Sequence, residues 1–177
     1  MKKKAAALVC LAAAILLGCG FPDAQKKNRA LSVKLIHKSP DCGIPEGAFP
    51  GKPFARWIED RPAARQTLDV LWESSLKTPQ GLSLSGFSFS EKGLLWVHMG
   101  RKPTTGYRLE LIPGAARIKG RTAVIALQWV SPPPDAMVGQ MITRPCILLG
   151  IARRGFSRIE VRDQAGALRA AVDLAAE

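Results

Sequence analysis

The sequence predicts a mainly β protein: a small antiparallel β-sandwich or barrel of six to eight strands, with one helix in the N-terminal half. Three observations carry this reading. From Gly86 onward, apolar residues recur with period two. Turn residues interrupt that pattern every roughly eight to twelve residues, the spacing of short strands in a sandwich. Only one stretch, 61–76 (RPAARQTLDVLWESSL), repeats its apolar residues at helical spacing.

The elements follow in order. LSVKLIH (31–37) alternates Leu31, Val33 and Leu35 against Ser32, Lys34 and Ile36, so it reads as a strand. Residues 38–53 hold Pro40, Gly43, Pro45, Gly47, Pro50, Gly51 and Pro53; they read as a loop with Cys42 inside it. FARWI (54–58) is a short strand. Asp60 then offers a carboxylate to the first-turn amides of the helix, and Pro62 is tolerated there because its missing N–H has no helical partner. Ala64, Leu68, Leu71 or Trp72, and Ser75 or Leu76 recur at helical spacing on one face. Arg61, Arg65, Asp69 and Glu73 form the polar one. Trp72 is expected to anchor the core.

GFSFS (86–90) puts Phe87 and Phe89 on one face of an expected strand, and Lys92-Gly93 supplies a turn. In LLWVHMG (94–100), Leu95, Val97 and Met99 face one way, Trp96 and His98 the other. YRLELI (107–112) alternates until Pro113-Gly114, which is expected to turn the chain. TAVIALQWV (122–130) is apolar on both sides, as a central strand requires. Pro132-Pro133-Pro134 ends it. CILLGIA (146–152) is again apolar throughout. SRIEVRD (157–163) and ALRAAVDL (167–174) follow, separated by a Gln-Ala-Gly turn. The chain shows no internal repeat.

The N-terminal residues are set apart from this fold. Lys2, Lys3 and Lys4 precede an apolar stretch from Ala5 to Leu17, too short for a comfortable membrane span. It ends Leu16-Leu17-Gly18-Cys19, which resembles the lipobox of bacterial lipoproteins. That resemblance implies a leader over 1–18 and a lipid on Cys19, the new N-terminus. A plain secretory leader is the alternative. Residues 19–30 read as a lipidated tether and 31–177 as one globular domain. Two acyl chains on one residue are enough for stable attachment. The expected location is the cell envelope, lipid-anchored. Gly20 after the cysteine favours the outer membrane, facing the periplasm.

The chain carries 26 Lys and Arg against 14 Asp and Glu, a net charge of +12. An exported lipoprotein rarely meets nucleic acid, so none is expected as a partner. Anionic lipid or an acidic protein fits better. Cys10 lies in the leader and Cys19 takes the lipid. Cys42 and Cys146 remain as a pair in an oxidising compartment, where a disulfide is expected. Two free thiols are the alternative.

No catalytic set stands out. His37 and His98 each sit in a strand pattern without a second ligand at metal spacing. No nucleophile elbow, zinc-protease helix or phosphate loop is present. A Cys42–His98 dyad is conceivable, but a disulfide would consume the thiol. The expectation is a non-enzyme without metal or cofactor.

The remaining candidate is the loop GRKPTTGY (100–107). Pro103 pre-sets one φ, Thr104 and Thr105 can brace a turn, and Gly106 can take a positive φ. Rigid loops bind at lower entropic cost. Arg101, Lys102 and Tyr107 are suitable contact groups. The plain alternative is a tight strand connection with Tyr107 packed at its edge.

Four ordered stretches, VHMGRKPTTGYRLEL, SPPPD, VGQMITRPCILLGI and FSRIEVRD, resemble the C-terminal domain of the PrcB family, the protease-complex-subunit lipoproteins, over about 94–169. Thr105 departs from the glycine common in that family. The resemblance implies an accessory lipoprotein acting through protein–protein contact in the envelope, with a protease among its partners. Pro103–Tyr107 is also similar to a loop of the chagasin-type cysteine-peptidase inhibitors. Lys102 replaces their asparagine, and their Arg-Pro-Trp loop has no counterpart after Arg162. That similarity implies inhibition as an alternative. A structural lipoprotein that binds anionic envelope components is the third.

Overall fold

The computed structural model describes residues 28–42, 51–73 and 84–174. The expected leader, most of the expected tether and Cys19 lie outside them. Among the described residues, nine strands and one helix form two sheets and an outer layer. The chain runs β1 (Arg29–Ala30), β2 (Val33–Ser39), β3 (Phe54–Ile58), α1 (Arg61–Glu73), β4 (Lys92–His98), β5 (Arg108–Lys119), β6 (Thr122–Val130), β7 (Cys146–Ala152), β8 (Arg158–Arg162) and β9 (Leu168–Asp173). One sheet has the order β1-β5-β6-β8-β9 and the other β2-β7-β4-β3.

The two sheets face each other across the main core. Leu95, Val97 and Met99 of the β4 segment and Ile147, Leu149 and Ile151 of β7 meet Leu109, Ile125, Leu127, Ile159 and Val161. The alternation read from the sequence therefore holds: Leu94, Trp96 and Leu148 point to the opposite face. There they meet Ala64 and Leu68 of α1, with Ile58, Phe54, Phe87 and Phe89. This second cover explains why β4 and β7 are apolar on both faces. As expected, β6 is central in its sheet. Asp60 Oδ1 accepts from Ala63 N at 2.8 Å, the cap predicted for the helix. The side chains of Leu71 and Trp72 lie outside the description.

Pairing is antiparallel except between β6 and β8. The exception follows from topology. The chain leaves β6, runs back along the other sheet as β7, and returns beside β6 in its original direction.

Five expectations are corrected. Lys92-Gly93 is not a turn but opens β4, paired with Ala152 and Ile151; the turn falls just before it, where Glu91 N and Lys92 N both bond to Ser88 O. GFSFS (86–90) is not a strand but consecutive turns, with Phe87 N bonded to Leu84 O and Lys92 N to Ser88 O. The period-two spacing still puts both phenyl rings on one side, 4.8 Å apart. There they cover the sheet, and Phe87 sits over Gly150, where a Cβ would lie 3.0 Å from its ring. Pro113-Gly114 does not end a strand. β5 continues through it as a bulge between Leu111 and Ala116. Leu35 is exposed, because a second bulge between Leu35 and His37 breaks the alternation of β2 and turns Ile36 to the outer core. The last two tether residues, Arg29 and Ala30, pair with Ile118 and Arg117 as an edge strand.

Candidate functional site

Three loops emerge at one end of the sandwich: 99–107 between β4 and β5, 131–145 between β6 and β7, and 163–167 between β8 and β9. Their common placement follows from register. His98 is opposite Cys146, Arg108 is opposite Val130, and Arg162 pairs with both Ala126 and Leu168. The segment after β2 arrives at the same end, because Ser39 is opposite Cys146.

The first two loops are laced together. Lys102 and Thr143 form an isolated antiparallel bridge, with N–H to carbonyl bonds of 2.8 and 2.9 Å in the two directions. Thr105 N donates to Gly139 O at 3.0 Å, and Gly139 N donates back to Thr105 Oγ1 at 2.8 Å. The buried Thr143 hydroxyl donates to Thr104 O at 2.8 Å. Gly106 has φ +92°, and a Cβ there would lie 2.9 Å from Pro132 and 3.3 Å from Val138. This position needs glycine both for its backbone and for the close approach of the second loop.

The charged and aromatic groups of the first loop divide between solvent and packing. Arg101 and Pro103 are exposed. Tyr107 is half-buried against the main core, and Lys102 Nζ lies 5.5 Å from the centre of its ring. Burial and then repulsion from Arg169 lower the Lys102 pKa. Arg169 itself lies 5.5 Å over the Trp129 ring and pairs with Asp163 at 2.6 Å. Burial raises the pKa of the Asp163 carboxyl, but bonds from the Ala167 and Ala165 amides and from Arg169 outweigh it and hold the group ionised. Gln164 Oε1 accepts from Trp129 N at 2.9 Å, so a side chain satisfies the end of β6 where β8 has stopped.

Cys42 and Cys146 form the expected disulfide, with Cα atoms 6.0 Å apart. Beside it, Cys42 N bonds to Arg144 O, and Arg144 pairs with Asp41 at 3.0 Å. No dyad with His98 is therefore available, since the thiol is spent. His98 is fully buried, stacked on Phe54 at 5.0 Å, and its Nδ1 accepts from Gly100 N at 2.8 Å. Burial, with Arg144 and Lys102 outweighing Asp41, lowers its pKa to about 4. It is a neutral core imidazole that shapes the loop's first turn. Among the described residues no three His, Cys, Asp or Glu come together as a metal-binding group.

The residues that sequence reading missed lie in the second loop. Met137 is fully exposed, and Met141 and Ile142 are 59% and 53% exposed. Leu168, 50% exposed, opens β9 at the same end. Four of the five large apolar side chains exposed among the described residues thus sit at this end. Their signal in the sequence was apolar residues after Pro132-Pro133-Pro134 that fit neither a strand nor a helix period.

The fold and this end define a β-sandwich with a braced loop surface. Residues 94–152 match the family model described as PrcB C-terminal. The match starts in β4 and stops on the last residue of β7, so both laced loops fall inside it and FSRIEVRD lies beyond it. No curated protein and no solved structure matches the chain.

Proposed function

We propose that the chain is a non-catalytic, lipid-anchored envelope protein that acts as an accessory subunit, docking a partner on its three-loop end. The observation that carries this is the exposure of Met137, Met141 and Ile142 on a loop whose backbone is held by its neighbour. Covering each such side chain is worth on the order of 1.5–3 kcal/mol. Bracing the backbone beforehand lowers the entropy lost on docking. The PrcB resemblance directs the partner class towards a protease complex in the same envelope.

A second reading, inhibition of a papain-like peptidase, is favoured by the emergence of three loops at one end. It is weakened by the threonines. Thr104 and Thr105 spend a carbonyl and a hydroxyl on loop 131–145 and do not present them outward.

The test is a crosslinked pull-down of the tagged protein from its own envelope, read by mass spectrometry. It is run beside the triple variant Met137→Ser, Met141→Ser, Ile142→Ser. A protein recovered in stoichiometric amount by the native chain and lost by the variant supports docking. Thermal stability of the variant should match the native chain, since the three side chains contribute little to the core. Identical recoveries from the two chains would sink the reading. A block of papain-like activity by the purified protein would move the conclusion to inhibition.

A further inference from the structure

The end opposite the loops differs in kind. The β5–β6 hairpin, Lys119-Gly120-Arg121-Thr122, lies there, with the 153–157 turn between β7 and β8 beside it. Arg121 O accepts from Ser157 N at 2.9 Å, and Arg121 Nε reaches the Ser157 hydroxyl at 3.3 Å. β1 enters at this same end, because Arg29 is opposite Ile118. The Arg29 guanidinium lies 3.0 Å from where a Cβ on Gly155 would be, so it reaches the 153–157 turn that also carries Arg154.

Arg29, Lys119, Arg121 and Arg154 are all exposed, and none makes an ion pair among the described residues. Two of the acids at this end are held by other arginines. Asp173 is held by Arg158, and Glu160 by Arg158 and Arg162. Glu59 and Glu91 make no ion pair among the described residues; their carbonyls accept from Arg153, so they flank the turn on the side of the four-stranded sheet, against the four cations and Lys92. Like charges gathered at one end, without partners, raise the energy of the free protein and fall in energy beside an anionic surface.

We propose that this end lies on the anionic headgroup surface of the membrane that holds the N-terminal lipid, so that the loop end points away from it. The proposal rests on reading Cys19 as the lipidated residue. Position carries it as much as charge. A chain of the length from Cys19 to Asn28 reaches at most on the order of 30 Å. A lipid at that distance does not by itself fix which end of the domain faces the membrane. Cations around the chain's point of entry remove that freedom. Each cation near an anionic surface shifts the equilibrium roughly fivefold, so four of them favour one orientation strongly at low salt.

The experiment uses the lipidated protein, reconstituted into vesicles of phosphatidylglycerol with phosphatidylethanolamine, or of phosphatidylcholine alone. Cosedimentation reports anchoring, and amide hydrogen exchange reports orientation. Exchange at 119–122 and 153–157 should slow on anionic vesicles at low salt, but not on neutral vesicles or at high salt. Exchange in 131–145 should stay unchanged. The variant Lys119→Gln, Arg121→Gln, Arg154→Gln should still cosediment and lose the protection, whereas Arg101→Gln at the opposite end should keep it. Cosedimentation with both vesicle types and equal exchange overturns the orientation while leaving the anchor standing. Protection of 131–145 instead reverses it. Failure to cosediment with either vesicle removes the anchor, and the proposal with it.

Discussion

The two ends of the sandwich spend their polar groups differently. At the loop end, backbone amides, threonine hydroxyls, a disulfide and a buried histidine all turn inward, and large apolar side chains are left outside. At the opposite end the turns are short, each with a positive-φ glycine, and Arg29, Lys119, Arg121 and Arg154 stay exposed without an ion pair among the described residues. Long loops carry many polar backbone groups that must find partners. Short hairpins carry few. The loop end is therefore the expensive one to build, and perturbations should register there first.

The largest effect is expected at the bridge between Cys42 and Cys146, which are 104 residues apart. Replacing both cysteines with alanine should lower unfolding stability by about 5 kcal/mol, the chain-entropy value for a loop of that size. Urea denaturation measures it. Amide exchange should accelerate around 99–107 and 131–145 before it does at the 119–122 hairpin. Uniform acceleration at both ends would break the comparison.

Next comes acid. The unfolded chain protonates His98 near pH 6.5, and the folded chain only near pH 4. Between those values the unfolded state binds more protons, so stability falls as pH drops through the window, by about 3 kcal/mol at its foot. The lowered pKa of His37, caused by burial, adds in the same direction. Denaturation curves from pH 7.5 down to 4.5 should therefore flatten in His98→Gln compared with the native chain. An unchanged pH slope would place the acid sensitivity elsewhere.

The smallest effect sharpens the contrast between two glycines. Gly106→Ala meets Pro132 as well as an unfavourable φ, and should cost on the order of 2–3 kcal/mol. Gly120→Ala, at φ +60° with nothing within 4 Å, should cost about 1 kcal/mol. Equal losses would mean that the loops give way to each other.

The sequence by itself determined the strands from β4 onward to within about two residues, except β5, which runs on to Lys119, because period-two burial and turn chemistry are short-range. β6 and β7 match the expected 122–130 and 146–152 end to end. It also determined the helix cap at Asp60. The pairing of Cys42 with Cys146 followed from compartment and elimination, and it too held. Local pattern misled where a long-range partner decided the outcome. Phe87 and Phe89 have strand spacing, yet they close over Gly150 as a lid. Pro113-Gly114 has turn chemistry, yet it bends a strand that β6 continues to hold. The candidate site was half legible. Pro103, Gly106 and the threonines read as a rigid loop, but what they brace, and the exposed Met137, Met141 and Ile142 beside them, did not. Only the tertiary structure decided that three connections share one end and the chain's entry shares the other. Strand direction and sheet order depend on contacts between residues far apart in sequence, and those carry no local period.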